Sequence, residues 1–144
     1  MSLSKELQLG KAGEHLVCFD LISQGISAFL SDQGLPYDVL LDINGTVKRV
    51  QVKTCSQASS YGKSKNVYRF SLRSAKGANR AIKSIKLDYI AFVFLDIKSV
   101  QYIPVEKITT SAGFLKQCID FRLEKTNGGQ KYVIGDYPFP KEKI

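Results

Sequence analysis

The sequence predicts an α/β domain built on a mixed β-sheet, and three features of the pattern indicate it. Residues 5–24 have the spacing of a helix and come first in the chain. Two strand-like segments follow and flank Asn44-Gly45, the strongest two-residue signal for a β-hairpin. Residues 88–97 form a continuous apolar run, which is typical of a central strand buried on both faces.

The remaining predicted elements complete this order. Gly25 is expected to end the helix, because glycine is common just past a helix C-terminus. The other expected elements, in chain order, are a strand over 26–30, hairpin strands over 37–43 and 46–54, a loop over 55–66, a strand over 67–73, a basic segment over 74–87, a strand over 100–105, a weaker helical region over 105–122 and a late edge strand over 131–135.

Length and composition favour a single domain over residues 1–144. The 144 residues can bury one core, and 44% hydrophobic with 24% charged residues is typical of a globular chain. No apolar run approaches the roughly 20 residues that span a bilayer, and the N-terminus does not resemble a signal peptide. Three widely spaced cysteines and one histidine disfavour a zinc site and a disulfide framework. We therefore expect free thiols in a reducing cytoplasm.

The chain carries an excess of positive charge, with 21 Lys and Arg against 13 Asp and Glu and a net charge of +8. A basic single domain suggests a polyanionic partner. No acid occurs from residue 55 to residue 87, although a solvated lysine-rich face remains an alternative. We expect this stretch to contact the phosphates of a nucleic acid and to be able to read bases. The basic residues proposed for this surface are Lys63, Lys65, Arg69, Arg73, Lys76, Arg80, Lys83 and Lys86.

The hairpin is expected to bring three polar side chains together. If Asn44 and Gly45 are the two loop residues, Asp38 faces Gln51 directly, with Cβ atoms roughly 5 Å apart. Lys53 lies two positions further along on the same side. The opposite side is apolar and suits a core, with Val39, Leu41, Ile43, Val50 and Val52. From the hairpin alone, a polar site and a solvated face with a chance Asp–Lys pair both fit the pattern.

The helix before the hairpin carries an acid next to its apolar face. Apolar residues follow Glu14 at the third, fourth and seventh positions, so they share its side of the helix. We expect the Glu14 carboxylate either to reach solvent at the helix edge or to point toward Asp38. Gly10 and Gly13 would let the helix approach the sheet, or a nucleic-acid backbone, closely.

These residues, in this order, resemble the PD-(D/E)XK nuclease superfamily. The resemblance lies in a glutamate within G-x-x-G-E, then P-Y-D, then a hairpin leading into Q-V-K-T, and it continues in "LDYIAFVFLD" and "QYIPVEKI". It covers roughly residues 10–108 and is to the branch with a D…Q-x-K motif, which includes the cyanobacterial group I intron homing endonuclease. The resemblance implies a restriction-endonuclease-like core, in which a mixed β-sheet is flanked by helices.

The resemblance also implies a catalytic site. Asp38 corresponds to the metal-binding aspartate of the family, Glu14 to a carboxylate from the helix, and Lys53 to the motif lysine. Gln51 stands where the second carboxylate would be, and its amide oxygen is a further candidate ligand. The backbone carbonyl of Val52 is another expected metal ligand. The implied cofactor is Mg²⁺, for which Mn²⁺ can substitute, and no small-molecule cofactor is expected.

Phosphodiester hydrolysis explains this choice of residue types. Hard carboxylate oxygens hold Mg²⁺, which stabilises the charge on the phosphate and lowers the pKa of an attacking water. Lys53 can orient that water or steady the phosphate charge. Because Gln51 is neutral, Asp38 alone would leave a single negative charge at the site. We hypothesise that Glu14 supplies the second one.

The sequence therefore predicts a Mg²⁺-dependent DNA endonuclease, most like a homing endonuclease that makes site-specific double-strand breaks. A single small domain has one site, so cutting both strands implies a homodimer or homotetramer. We expect double-stranded DNA as the partner, no membrane association, and a cytoplasmic, nucleoid-associated location in a bacterium. The open alternatives are a Holliday-junction resolvase or repair nuclease, an RNA or tRNA nuclease, and a catalytically inactive nucleic-acid-binding module.

Overall fold

The main sheet of the chain carries a helix on one face and a smaller sheet on the other. The computed structural model describes residues 4–32, 34–72, 86–124 and 132–140. Within them no helix is long and apolar enough to cross a membrane. The elements are α1 (Lys5–Ser23), β1 (Ser27–Leu30), β2 (Val39–Ile43), β3 (Thr46–Cys55), β4 (Ser59–Tyr61), β5 (Ser64–Ser71), β6 (Tyr89–Phe94), β7 (Ser99–Pro104), a 3-10 helix (Val105–Ile108) and β8 (Cys118–Phe121).

A glycine terminates α1, as predicted. Gly25 has a φ of 87°, in the left-handed region that glycine adopts without steric cost. Its N–H donates to the Ile22 carbonyl at 2.9 Å. The Ile26 N–H donates to the Leu21 carbonyl at 3.0 Å. Together these bonds form a Schellman motif, which satisfies the last carbonyls of the helix and turns the chain into β1.

The main sheet has the strand order β1-β2-β3-β6-β7. The strands β3 and β6 are parallel, and the other neighbouring pairs are antiparallel. Val39 of β2 pairs with Val50 of β3, which is the register predicted from the Asn44-Gly45 turn. Asn44 and Gly45 have φ values of 51° and 88°, both positive, as a type I′ turn requires.

Apolar clusters cover both faces of the main sheet. On one face, α1 packs through Val17 and Leu21 against β2, β3 and β6. On the other face, the small sheet of order β4-β5-β8 packs Phe70 and Phe121 against Phe92. The strand β6 lies between these layers and all six of its residues are buried, which confirms the predicted central strand. The predicted α/β architecture is thus confirmed, with a small sheet on the second face of the described chain.

The prediction of a helical region over 105–122 was wrong. Only Val105–Ile108 form a short 3-10 helix, and Cys118–Phe121 form β8, which pairs with β5. Ile119 and Phe121 are buried while the residues before each of them are not, which is the alternation of a strand with one buried face. Tertiary pairing with β5 therefore overrides a weak helical pattern.

Two other predicted segments differ from the structure, and a third lies mostly outside the described residues. The segment 55–66, predicted as a loop, contains β4 and the start of β5. The predicted edge strand over 131–135 is represented, among its described residues, by a bridge between Arg122 and Val133. Most of the basic segment 74–87 lies outside the described residues.

Gln101 fastens the C-terminal segment to β7. Its side chain is buried, and its Oε1 accepts the N–H groups of Gly135 and Tyr137, both at 2.9 Å. Its Nε2 donates to the Val100 carbonyl at 3.0 Å. Both ends of the amide are therefore engaged, and the segment that follows Gly135 is held against the sheet.

We expect Gln101→Met to lower the free energy of unfolding by about 2–4 kcal/mol, because two backbone N–H groups lose their acceptor. Urea unfolding followed by circular dichroism measures this change. Gln57→Met, at an exposed position, is the matched control and should change stability by less than about 0.5 kcal/mol. Equal stability of the two variants would contradict the role of Gln101.

Candidate active site

The strands β2 and β3 part at Asp38. Val39 and Val50 are the last paired residues of the hairpin, while β3 runs on to Cys55 alongside β6. The Asp38 N–H donates to the Val50 carbonyl at 2.9 Å, which holds Asp38 in line with the hairpin. Asp38 therefore lies at a fork in the main sheet.

The Asp38 carboxylate is fixed at this fork. Its Oδ2 accepts the Val52 N–H at 2.7 Å, so the backbone and the side chain of Asp38 bind the same edge of β3. Peptide groups two residues apart point the same way along a strand. The Val52 carbonyl therefore shares the direction of the Val50 carbonyl and faces the fork. This direction is compatible with the metal-ligand role expected for the Val52 carbonyl.

Gln51 and Lys53 lie on β3 beside the same fork. Their positions in register are opposite Ile90 and Phe92 of β6, and both side chains are half-buried. Since Asp38 binds the residues on either side of Gln51, the hairpin brings Asp38 and Gln51 together. Lys53 follows two positions further on the same face of the strand. The paired register ends at Val39 and Val50, one position short of the direct Asp38–Gln51 pair expected from the turn, so Asp38 lies near Gln51 without pairing with it in the ladder.

Glu14 reaches the same region from α1. Glu14 and Asp38 both line a cleft of about 340 Å³. The Glu14 side chain is 17% exposed, and its Oε1 lies 3.6 Å from the Lys11 Nζ. Burial and then the nearby Asp38 charge raise the pKa of Glu14, while Lys11 and His15 oppose that rise. Glu14 thus lines the same cleft as Asp38, close enough for the Asp38 charge to affect its pKa, and it also forms an ion pair with Lys11.

Gly13 sets the separation between α1 and β3. It is buried, and a Cβ added to it would overlap Thr54 Oγ1 and lie 3.0 Å from Thr54 Cβ. Only a hydrogen atom, and not a methyl group, fits between the Gly13 Cα and Thr54. An added Cβ at Gly10 would meet nothing within 4 Å. The predicted close approach thus belongs to Gly13, and it carries the adjacent Glu14 toward the fork.

The predicted DNA-binding residues fall into different groups. Lys63, Lys65 and Lys86 are exposed. The Arg69 Nε and Nη2 donate to both oxygens of the Asp120 carboxylate, each at 2.9 Å. Arg69 is therefore already engaged by an acid within the chain. The other predicted residues lie outside the described part of the chain, namely Arg73, Lys76, Arg80 and Lys83.

Comparisons with known proteins bear on this geometry. A sequence model of the PD-(D/E)XK endonuclease family matches residues 5–135. The chain belongs to the PD-(D/E)XK endonuclease family. Among solved structures, a bacterial homing endonuclease, I-Ssp6803I, is similar in fold, with a TM-score of 0.65 and 17% sequence identity over 90% of this chain and 83% of that chain. No curated protein matches the sequence.

The candidate site of this PD-(D/E)XK chain has oxygen donors of the kind that Mg²⁺ prefers. One or two carboxylates with water are a common way for proteins to hold this ion, and Glu14 and Asp38 meet in one cleft. The raised pKa of Glu14 fits this role, because a divalent cation would offset the repulsion between the two acids. Among the described residues, no three or more His, Cys, Asp or Glu side chains lie together in a group that could hold a metal ion. Further ligands would therefore come from the Gln51 amide, the Val52 carbonyl or water.

Two charged residues near the PD-(D/E)XK site and its basic surface were missed by the sequence reasoning. Lys11 precedes Glu14 by three positions, and this helical spacing is a signal that could have identified their ion pair. Asp120 pairs with Arg69 across 51 positions of sequence. That contact depends on the pairing of β5 with β8, so no local pattern predicts it.

We expect Gly13→Ala to lower the free energy of unfolding by about 1–3 kcal/mol, because its methyl group overpacks the contact with Thr54. Gly10→Ala is the matched control on the same helix. It should raise the free energy of unfolding by up to about 1 kcal/mol, since alanine favours the helix and has space there. Urea unfolding measures both changes, and an equally stable pair of variants would contradict the close contact.

The raised pKa of Glu14 has a defined effect on stability. The folded chain keeps the Glu14 proton to a higher pH than the unfolded chain does. The resulting stabilisation is complete below pH 4.5 and is lost as pH rises through the folded pKa. We therefore expect metal-free Glu14→Gln to be more stable than the wild type at about pH 7, and this difference to vanish at about pH 4.

Melting temperatures at these two pH values, with and without Mg²⁺, measure the effect. Mg²⁺ should stabilise the wild type and Glu6→Gln, an exposed control on the same helix, but not Glu14→Gln. If Mg²⁺ stabilised all three chains equally, Glu14 would not be a ligand.

Proposed function

We propose that the chain is a Mg²⁺-dependent DNA endonuclease that makes site-specific double-strand breaks, as a homing endonuclease does. The observation that carries this proposal is the meeting of Glu14 and Asp38 in one cleft, at the fork beside Gln51 and Lys53. The family is one of endonucleases. The similarity in fold to a bacterial homing endonuclease supports the finer proposal.

Each side chain has a separate task in phosphodiester hydrolysis. A Mg²⁺ ion held by the two carboxylates supplies Lewis-acid stabilisation of the phosphate charge and a lower pKa for the attacking water. Asp38 is restrained by two hydrogen bonds to β3, so its oxygen needs little reorganisation. Glu14 adds the second negative charge. Lys53 orients the attacking water or balances negative charge on the phosphate.

Double-stranded DNA is the proposed partner, and exposed Lys63, Lys65 and Lys86 are available to its phosphates. Each chain offers one cleft, so cutting both strands of a duplex calls for a homodimer or a homotetramer. The proposed location is the cytoplasm of a bacterium, at the nucleoid where the substrate lies.

We expect Glu14→Gln to reduce Mg²⁺-dependent cleavage by at least about 100-fold, because the site loses one of its two charges. DNA binding should persist, since the basic surface is unchanged. Glu6→Gln makes the same chemical change at an exposed position in the first turn of α1 and should cut like the wild type. Plasmid and linear-duplex cleavage assays measure the rates, and Asp38→Ala serves as the inactive reference.

The same assay separates the alternatives when four-way junctions, single-stranded DNA and RNA are added. Preferred cutting of junctions would favour a resolvase, and preferred cutting of RNA would favour an RNA nuclease. A fully active Glu14→Gln would contradict the role given to Glu14. Binding without cleavage of any substrate, in Mg²⁺ and in Mn²⁺, would favour an inactive binding module.

A further inference from the structure

An exposed two-stranded ribbon follows the motif strand β3. The strands β4 and β5 pair antiparallel and are joined through Gly62 and Lys63. No residue of 56–66 is buried, whereas Val67 and Tyr68, which continue β5, are buried in the core. The segment 56–66, here called the ribbon, is therefore mostly exposed, although its half-buried Ala58 packs against the core.

The ribbon has a composition suited to DNA. It contains Lys63 and Lys65 and no acid. Its remaining polar side chains are short hydroxyls and amides, which hydrogen-bond to base edges: Ser56, Gln57, Ser59, Ser60, Ser64 and Asn66. The major groove of B-DNA, about 12 Å wide, admits a two-stranded β-ribbon. Charge and dimensions thus point to the same partner.

The pairing within the ribbon is irregular. Ser59 pairs with Val67 and Tyr61 pairs with Ser64, so β5 contains an extra residue between these pairs. Asn66 lies in this interval with a φ of 58°, in the left-handed region. Bulges of this kind redirect side chains and are frequent beside functional sites. Because of this bulge, the polar side chains of the ribbon do not alternate regularly between its two faces.

Arg69 connects the ribbon to the rest of the small sheet. Its guanidinium carbon lies 3.8 Å from the centroid of the Tyr61 ring on β4. On its other side it makes the bidentate pair with Asp120 on β8. A planar guanidinium makes both contacts at once, which a lysine ammonium cannot do. The row Asp120–Arg69–Tyr61 therefore spans the small sheet from β8 to the ribbon.

We propose that the ribbon enters the major groove and reads base edges beside the cleavage site, with Arg69 as a positioning residue that anchors it. Arg69 is then not one of the phosphate contacts. The inference rests on the proposed function, since it takes DNA as the substrate. Ser59, where β4 begins, follows Lys53 by six residues, so the first strand of the ribbon begins within about 22 Å of Lys53. That reach is less than one duplex turn, about 34 Å.

The test measures binding, so it does not depend on cleavage. In an Asp38→Asn background, a pool of randomised duplexes is selected for binding to the chain. Affinity is then compared between the recovered duplex and a shuffled duplex of the same composition. The ratio of these two affinities is the discrimination ratio of the chain.

Arg69→Lys keeps the charge but loses the bidentate pair and the ring contact, and Asp120→Asn keeps the shape but weakens the pair. We expect each to lower the discrimination ratio about tenfold or more. Asp136→Asn changes the net charge by the same amount as Asp120→Asn, but at an exposed position of the C-terminal segment. It should leave the discrimination ratio unchanged. Circular dichroism melts check that each variant is folded.

If Arg69 instead bound DNA phosphates, the two variants would behave differently. A phosphate-binding Arg69 would make Arg69→Lys bind like the parent chain. It would also make Asp120→Asn bind both duplexes more tightly than Asp136→Asn does, because the pair with Asp120 would no longer compete. Either result would overturn the anchoring role.

A methylation-interference experiment tests base reading without any variant at Arg69 or Asp120. Guanine N7 faces the major groove, so its methylation within the recovered duplex should block binding. A lack of interference, or a selection that recovers no shared sequence, would overturn base reading by the ribbon. A wild-type chain that discriminates between the duplexes but cuts neither in Mg²⁺ would support the ribbon's role and count against the proposed nuclease activity.

Discussion

The site depends on one residue that binds the same strand edge twice. Asp38 donates its N–H to the Val50 carbonyl and accepts the Val52 N–H with its carboxylate. An exposed strand edge normally has to be paired, covered or blunted. At this fork the carboxylate takes the donor that a continuing strand would have taken. The sheet therefore opens at this point without leaving the Val52 N–H unbonded, and it keeps an anionic oxygen in a restrained position.

The second acid reaches the fork at a cost in stability. Gly13 allows α1 to lie against Thr54, and this contact carries Glu14 into the cleft that Asp38 lines. Burial and the neighbouring charge then raise the pKa of Glu14, and Lys11 offsets only part of that rise. Two acids that line one cleft, one of them with a raised pKa, are poorly explained as a stabilising device. They are typical of a site that is completed by a ligand of opposite charge.

The hairpin register, and with it the placement of Asp38 near Gln51, could be predicted from the sequence because each depends on local rules. Asn44-Gly45 fixes a two-residue turn, and the alternation of a strand then decides which side chains share the face of Asp38. The four residues of β8 are too few to separate a strand from a helical pattern. The pair of Arg69 with Asp120 was equally invisible, because the acid comes from a distant strand. The absence of acids from residues 55–87 therefore suggested that Arg69 was free to bind DNA, whereas the folded chain pairs it with Asp120.

The glutamine of the motif fits the charge of this site. Gln51 is half-buried on β3 beside the fork, where Glu14 already has a pKa raised by burial and by Asp38. A carboxylate at position 51 would add a third negative charge and would raise the pKa of Glu14 further. With the second acid supplied from α1, the amide keeps an oxygen at the fork without adding to that repulsion. The neutral Gln51 therefore avoids adding a third negative charge to the two that Glu14 and Asp38 bring to the cleft.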